Sequence, residues 1–275
     1  MISFKDKNVI ITGGSSGIGL SLAKKFAAYG ANILIIARRK ELLTKAVKEI
    51  SKYKVEERQK IDLLSLDLTD HKKVQRATKN IERIGLLPDI LINSAGVAHP
   101  GEFKNLDHRI FEWMMDVNYF GTVNIIQELL PSMLEKHEGS IVNISSISGF
   151  IGVYGYTAYS GSKYAVRGFS DVLRSELKHQ GLHVAIVFPP DTDTPQLEYE
   201  NQIKPEITKQ IAGSAGSLNP DKVADEIING INKKKYIILP GIESKVIYAA
   251  NNILGRKIYP LMDFLVKKYM NMKTQ

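Results

Sequence analysis

Cysteine is absent from the 275-residue sequence. Its absence excludes a disulfide framework and a thiolate zinc site, and it is typical of a protein in a reducing cytosol. Long apolar runs are also missing, since none reaches the roughly 18 residues that a membrane-spanning helix needs. The first ten residues run almost directly into a predicted strand, which leaves no room for a signal peptide or an N-terminal membrane span. We therefore expect a cytoplasmic protein.

Acidic charge is scarce at the carboxyl end. The chain has a net charge of +8, and the segment from Lys233 onward holds nine lysines and arginines against two acids. That segment alone carries +7, so the preceding 232 residues are close to neutral. No basic recognition motif accompanies the charge, so nucleic acid is not an expected partner.

Strands and helices alternate along the predicted structure. Short apolar runs predict buried strands, and amphipathic or capped segments between them predict helices. The predicted strands are residues 8–12, 32–37, 63–66, 89–93, 139–145, 183–188 and 236–239, and the helices are about 20–29, 40–52, 72–84, 103–130, 159–179 and 220–231. A polar segment without a predicted element runs from Pro195 to about Leu218. This order is typical of the α/β class with a Rossmann-type, doubly wound parallel sheet in a single domain over residues 1–240.

A glycine-rich loop follows the first predicted strand. Its sequence, Thr12-Gly-Gly-Ser-Ser-Gly-Ile-Gly19, leads directly into a predicted helix. Glycines let the backbone approach a pyrophosphate, and the amino end of a helix offers free N–H groups and a positive dipole end. The expected cofactor contacts are Gly13, Ser15, Ser16, Gly17, Ile18 and Gly19. A plain glycine-rich turn is the alternative.

Arg38 and Arg39 follow the second predicted strand. NAD-binding folds place an acid here against the adenosine ribose, whereas arginines suit the 2′-phosphate of NADP. No acid stands at positions 36–38, so the sequence predicts NADPH as the cofactor, with a solvated basic helix start as the alternative. Asp67 follows the third predicted strand. Its carboxylate there either contacts the edge of the adenine ring or caps the next helix.

Tyr159 and Lys163 are the candidate chemical groups. Their spacing puts both side chains on one face of a helix. A phenol beside an ammonium group has a lowered pKa, so it can give a proton to a developing alkoxide near neutral pH. The predicted strand that begins at Gly139 is followed by Ser146, whose hydroxyl is expected near Tyr159. Asn118 lies inside a predicted helix, where it marks either a loosened turn that holds water or a tolerated polar residue.

With these residues in place, the chain resembles the short-chain dehydrogenase/reductase family over residues 5–240. The motifs that carry the resemblance are TGGSSGIG at 12–19, NSAG at 93–96, Asn118, Ser146 and YSGSK at 159–163. NSAG departs by one residue from the commoner form with two asparagines. The resemblance implies that Tyr159 is the general acid and that Lys163 holds the nicotinamide ribose and lowers the tyrosine pKa. It also implies that Ser146 orients the carbonyl and that Asn118 supports a proton relay, although another alignment selects Ser145.

The remaining cofactor contacts are expected at other strand ends. They are Leu68, Asn93, Ala95, Gly96, Pro189, Thr192 and Thr194, together with Tyr159 and Lys163. His179 and His183 have metal-ligand spacing, but Gly181 between them is expected to end the helix, so no metal site is predicted. By resemblance to the family, we also expect a homo-oligomer that pairs through the helices around Asn118 and Tyr159.

A narrower resemblance concerns the substrate. Pro189-Pro190 replaces the family's usual Pro-Gly, and the segment through Glu206 is similar to that of the members that reduce 3-ketodihydrosphingosine, a long-chain 3-keto amine, with NADPH. This implies a role in sphingolipid synthesis. Those eukaryotic members carry an N-terminal membrane segment that has no counterpart here. The alternatives are a reductase of another lipid, acyl or steroid ketone and a non-catalytic NADP-binding protein.

Residues 241–275 form a basic, amphipathic extension. Apolar clusters alternate with lysines and arginines between residues 242 and 272, and Gly255 and Pro260 interrupt them, so at least two short helices are expected. Such helices can lie in the interface of an anionic membrane, with lysines against the headgroups. Alternatively, they cover the substrate pocket or another subunit.

Overall fold

Seven short, mostly apolar runs form parallel strands in the computed structural model, which describes residues 3–212 and 216–272. The strands are β1 (Asn8–Thr12), β2 (Asn32–Ala37), β3 (Ile61–Ser65), β4 (Ile90–Asn93), β5 (Gly139–Ile144), β6 (Leu182–Val187) and β7 (Ile237–Ile238). They lie side by side in the order β3-β2-β1-β4-β5-β6-β7. The strand order reverses between β1 and β4, which confirms the predicted doubly wound α/β fold.

Helices cover both faces of this sheet. They are α1 (Gly17–Ala28), α2 (Lys40–Ser51), α3 (His71–Arg83), α4 (His108–Met114), α5 (Gly121–Lys136), α6 (Thr157–Leu177), α7 (Pro195–Ile203), α8 (Glu206–Ala212), α9 (Pro220–Asn232), α10 (Gly241–Leu254) and α11 (Ile258–Met272). Side chains of α1, α2 and α9 fill the core on one face, and those of α3, α5 and α6 fill it on the other. The parallel strands are therefore buried on both sides, as their apolar sequences require.

The segment predicted as one helix over residues 103–130 is interrupted. A short 3₁₀ turn at Phe103–Asn105 is followed by α4, which begins where the Asp107 side chain accepts a hydrogen bond from the backbone of Arg109. Between α4 and α5 the backbone forms a π-helical stretch at Met115–Phe120. The single-helix prediction is wrong because it overlooked a capping aspartate, which starts a new helix.

The polar segment after Pro195 is also different from the prediction. Thr194 caps α7 by accepting a hydrogen bond from the backbone of Leu197, and Pro195 occupies the first helical position. Pro205 separates α7 from α8, since proline disfavours helical backbone in the residue before it. The signals for α7 are therefore present in the sequence, as a cap followed by a proline.

The two carboxyl-terminal helices confirm the expectation of at least two helices after residue 241. A 3₁₀ turn at Gly255–Lys257 joins α10 to α11. Pro260 does not break α11 because it lies in the first turn, where a backbone N–H has no partner to lose. Side chains of both helices share a hydrophobic cluster with the end of the sheet, in which the Tyr248 ring contacts the rings of Phe150 and Phe188. In the described part of the chain, no helix is long and apolar enough to span a bilayer.

Candidate active site

The carboxyl ends of the strands surround a cavity of about 790 Å³. Open α/β sheets bind their ligands at this edge, where the strand order reverses. Most of the predicted site residues line the cavity: Gly13, Ser15, Ser16, Gly17, Ile18, Arg38, Arg39, Asp67, Leu68, Ala95, Gly96, Ser146, Tyr159, Lys163, Pro189, Thr192 and Thr194. The lining does not include Gly19, Asn93 or Asn118, but each of these residues is next in the chain to one that lines the cavity.

The glycine-rich loop forms a cradle that side chains would fill. A Cβ atom on Gly13 would lie 2.7 Å from the carbonyl oxygen of Ser94, and one on Gly19 would lie 2.5 Å from that of Gly13. Gly17 has a φ of +54°, which disfavours other residues. The first turn of α1 contains no acid, and its N–H groups have no partner within the helix. The cradle therefore fits a pyrophosphate group.

The arginines at the end of β2 are exposed. Within residues 3–212 and 216–272, neither Arg38 nor Arg39 forms an ion pair, so both guanidinium groups are available to an anion at the cavity edge. Asp67 lines the same cavity and accepts hydrogen bonds from the backbone and the hydroxyl of Thr69. The cap of α3 is Asp70, which accepts from the backbone of Lys73 at 3.0 Å. The capping alternative for Asp67 is thus wrong.

Asn93 lies at the end of β4 and is buried under the cavity. Its amide donates to the side-chain oxygen of Asn143 on β5 at 2.8 Å, and Asn143 in turn donates to the Ser170 hydroxyl on α6. This polar chain joins two strands and a helix within the core. The geometry gives Asn93 a supporting position rather than a place on the cavity wall.

Asn118 lies within the π-helical stretch, which is the loosened turn that the sequence suggested. Its side-chain oxygen accepts from the backbone N–H of Val97 at 2.8 Å, and its amide donates to the carbonyl of Val97 and to the Ser162 hydroxyl, each at 2.9 Å. A Cβ atom on Gly96 would lie 3.2 Å from the Asn118 oxygen and 3.4 Å from Lys163 Nζ. Asn118 therefore fixes the loop after β4 against α6.

Tyr159 and Ser146 come together at the end of the cavity. Both side chains line the cavity, and the Ser146 hydroxyl is near enough to the Tyr159 phenol to lower its pKa. The neighbouring Ser145 hydroxyl is buried and donates to the backbone carbonyl of Lys163 at 3.1 Å, so its hydrogen bond is made within the core. Lys163 Nζ donates to the carbonyl of Ile144 at 3.0 Å and lies 5.7 Å from the centre of the Tyr159 ring. This geometry favours Ser146 over Ser145 as the hydroxyl that meets a bound carbonyl.

The pKa of Tyr159 departs from the sequence expectation. Burial is the largest cause and raises this pKa above 10, the negative charge of Glu200 raises it further, and the nearby Ser146 hydroxyl lowers it only in part. Burial also lowers the pKa of Lys163 to about 8, because the ammonium group loses its hydration. The expected lowering of the tyrosine pKa is therefore wrong for this structure, in which desolvation is the largest cause and raises the pKa.

Three residues near Tyr159 were missed by the sequence analysis as site residues. Gln196 is near enough to Tyr159 to lower its pKa, and its amide donates to Glu200 at 3.0 Å. The Tyr156 hydroxyl donates to the other Glu200 oxygen at 2.5 Å. Gln196 and Glu200 lie on α7, in the segment for which no helix was predicted. The Thr194 cap and Pro195 are the sequence signal for this helix, although they do not indicate where it packs.

Comparisons with known proteins match this arrangement. The family model described as short chain dehydrogenase matches residues 7–204. A protein of Bos taurus named 3-ketodihydrosphingosine reductase is 38% identical over 223 residues, which are 80% of this chain and 67% of that protein.

Two solved structures share the fold. A short chain dehydrogenase/reductase from Burkholderia phymatum in complex with NAD has a TM-score of 0.80 at 23% identity, covering 95% of this chain and 96% of that one. A short chain dehydrogenase from Burkholderia cenocepacia in complex with NADP has a TM-score of 0.78 at 19% identity, covering 95% and 99%. The motifs, the topology and the family match agree: the chain belongs to the short chain dehydrogenase family.

Proposed function

We propose that this chain is an NADPH-dependent reductase that converts 3-ketodihydrosphingosine to dihydrosphingosine, a step of sphingolipid synthesis. The observation that carries the proposal is the 38% identity, over 80% of the chain, to the Bos taurus protein with that name. The family is one of oxidoreductases that act on ketones with a nicotinamide cofactor. The choice of a long-chain substrate is supported independently by the shape of the cavity.

The cavity has a polar end and an apolar end. Tyr159, Ser146 and Lys163 line the polar end. Side chains of α10 and α11 line the other: Val246, Ile247, Ala250, Ile258, Leu261, Met262 and Leu265. A long alkyl chain gains about 0.8 kcal/mol for each methylene group that it buries. The two helices therefore act as an apolar cover for a ketone with a long chain, and we propose residues 241–275 as a lid on the catalytic domain of residues 1–240.

The chain's own residues supply the proton. Bound NADPH provides the hydride for the carbonyl carbon. Ser146 orients the carbonyl oxygen through its hydroxyl, and Tyr159 donates its phenolic proton to that oxygen as negative charge develops. Burial keeps Tyr159 protonated until this moment, which suits a general acid. The Lys163 ammonium group lies beside the ring, where it stabilises the phenolate left after transfer.

The preference for NADPH over NADH is part of the proposal. The loop of residues 12–19 would hold the pyrophosphate, and Arg38, Arg39 and Ser15 would hold the 2′-phosphate. Two exposed guanidinium groups without ion pairs in the described residues support this assignment, because arginine forms paired hydrogen bonds with phosphate oxygens. No acid stands beside them at the end of β2 to favour a free ribose.

The assay that tests the activity follows NADPH oxidation with three ketones: 3-ketodihydrosphingosine, a short 3-oxoacyl thioester and a steroid ketone. We expect kcat/KM for the first to exceed the others on the order of 100-fold, because its chain fills the apolar end. A faster reaction with another ketone would assign the enzyme to that substrate. NADPH binding without oxidation by any ketone would support the non-catalytic alternative.

Contact with an anionic membrane is a further part of the proposal. The outer face of α10 and α11 exposes large apolar side chains, such as Ile253 at 83% and Phe264 at 64% exposure. Arg256, Lys257, Lys267 and Lys268 are exposed around them. Val246 and Leu261 both line the cavity and reach solvent, so the mouth of the cavity opens within this apolar surface. A lipid ketone could pass from a membrane into the cavity without crossing water.

A further inference from the structure

Glu200 is a buried carboxylate in the wall of the cavity, with only 6% of its surface exposed. Its two oxygens accept hydrogen bonds from the Tyr156 hydroxyl at 2.5 Å and from the Gln196 amide at 3.0 Å. Both donors are neutral. A buried carboxylate of this kind loses most of its hydration, and neutral donors replace only part of it.

Two buried lysines act on Glu200, and both have partners elsewhere: Lys163 donates to the carbonyl of Ile144 at 3.0 Å. Lys204 is buried, and its ammonium group pairs with Asp191 at 2.9 Å. The charges of this pair act on Glu200 in opposite directions, and burial raises the pKa of the Glu200 carboxyl above its usual range. Asp191 lines the same cavity, so this wall carries a second acid. This end of the cavity is therefore suited to a positively charged group on a ligand.

The position of Glu200 relative to Tyr159 identifies that group. The Tyr156 hydroxyl donates to Glu200, and the Tyr156 ring lies 5.5 Å from the Tyr159 ring, centre to centre, so the carboxylate is close to the proton donor. In an α-amino ketone, the nitrogen is attached to the carbon next to the carbonyl. When the carbonyl oxygen of such a ketone lies against Tyr159, its ammonium group is therefore only a few ångströms away. Glu200 is part of the cavity wall in that region.

We propose that Glu200 binds the ammonium group of the substrate and makes the enzyme selective for ketones with a charged amine beside the carbonyl. This inference rests on the proposed function, since it names what recognises the amine of the proposed substrate. The ammonium group would donate a charge-assisted hydrogen bond to Glu200, which is roughly twice as strong as a bond between neutral groups.

A pair of ketones tests the inference. One is 3-ketodihydrosphingosine, and the other is 1-hydroxyoctadecan-3-one, which has the same chain and hydroxyl group but no amine. We expect Glu200→Gln to reduce the preference for the amine, as the ratio of the two kcat/KM values, by roughly 10- to 100-fold. The matched control is Glu198→Gln, an exposed glutamate on the same helix, which should leave the ratio unchanged. An equal loss for both ketones in Glu200→Gln would show that Glu200 only supports α7, and the inference would be wrong.

A binding measurement separates this inference from the proposed function. Trp113, the single tryptophan of the chain, lines the cavity, so its fluorescence reports a ligand there without turnover. With NADP⁺ present, the wild type should bind decylamine more tightly than decanol, and Glu200→Gln should lose that preference. Glu200→Asp keeps the charge and should retain part of it. This result would uphold the ammonium site even if neither ketone were reduced, whereas equal binding of amine and alcohol by the wild type would overturn it.

Discussion

At the residue scale, the transferable proton of Tyr159 distinguishes catalysis from binding. Tyr159→Phe removes the phenolic hydroxyl and leaves the ring in its cluster with Tyr156. We expect kcat to fall by roughly 100-fold or more, which is the contribution of a general acid, while the Kd of NADPH changes little. Steady-state kinetics and a cofactor titration measure the two effects. Tyr164→Phe on the same helix is the control, and more than about 5% of the wild-type kcat in the first variant would remove Tyr159 from its role.

Lys163 makes the stability of the cofactor-free protein depend on pH. Its pKa is lowered from 10.5 to about 8 in the folded state, so between these values the unfolded chain binds more protons than the folded one. The free energy of unfolding therefore rises with pH across this window, and the cost of the buried ammonium is fully present below pH 8. Lys163→Met removes the titrating group. Between about pH 7 and pH 9.5, the wild type should gain about 2 kcal/mol relative to the variant.

Urea unfolding of both proteins at the two pH values measures this difference. The lost hydrogen bond to the Ile144 carbonyl shifts the variant by a nearly constant amount, so it does not affect the change with pH. Ionisation of exposed tyrosines is common to both proteins and also cancels. A difference in stability that does not vary with pH would mean that Lys163 keeps its ordinary pKa.

Arg38 tests the cofactor assignment. Arg38→Asp replaces a guanidinium group at the cavity edge by a carboxylate, which would repel a 2′-phosphate. We expect the affinity for NADPH to fall by about 2–3 kcal/mol and the affinity for NADH to change far less. Titration of both cofactors checks this, with Lys45→Asp on the exposed face of α2 as the control. A wild type that already binds NADH more tightly would contradict the assignment.

At the scale of elements, α10 and α11 have two faces with different roles. The inner face closes the apolar end of the cavity, and the outer face presents Ile253 and Phe264 among basic residues. Truncation after Leu239 is not a clean test of the outer face, because it would also uncover the rings of Phe150 and Phe188. Substitutions on the exposed side leave that packing intact.

We therefore predict that Ile253→Asp combined with Phe264→Asp abolishes co-sedimentation with anionic liposomes at low salt and preserves the fold. Each basic residue near an anionic surface contributes about 1 kcal/mol, so the four around this patch give weak binding that the apolar side chains must supplement. Val55→Asp, at a site with 60% exposure outside the two helices, is the control. If the wild type remains in the supernatant, the helices serve as a pocket cover alone.

At the scale of the whole molecule, the helices around the active site also present a surface for self-association. Phe120, at the end of the π-helical stretch, and Val172 on α6 are half-exposed apolar residues on elements that carry Asn118 and Tyr159. We propose a homo-oligomer that pairs through this side. Light scattering should give a multiple of the 30.7 kDa chain mass, and Val172→Glu should lower it. A monomeric wild type would contradict this pairing.

Several features followed from the sequence alone. Alternating apolar runs predict the parallel sheet, and sequence motifs alone single out the glycine-rich loop, Arg38, Ser146, Tyr159 and Lys163 as candidate site residues. These motifs line one cavity because the carboxyl ends of parallel strands meet at one edge, so motifs that end successive strands must lie together. Each of these motifs lies in a strand or in the loop that follows it, so a short stretch of sequence is enough to recognise it.

Other features were decided by the tertiary structure. Glu200 and Gln196 reach Tyr159 because α7 folds back over the end of the sheet, and no local pattern records that contact. The direction of the Tyr159 pKa depends on how completely the phenol is buried and on carboxylates distant in the chain. The covering role of α10 and α11 likewise depends on which helix face meets the cavity. Such properties arise from desolvation and from contacts between distant segments, which the order of residues does not display.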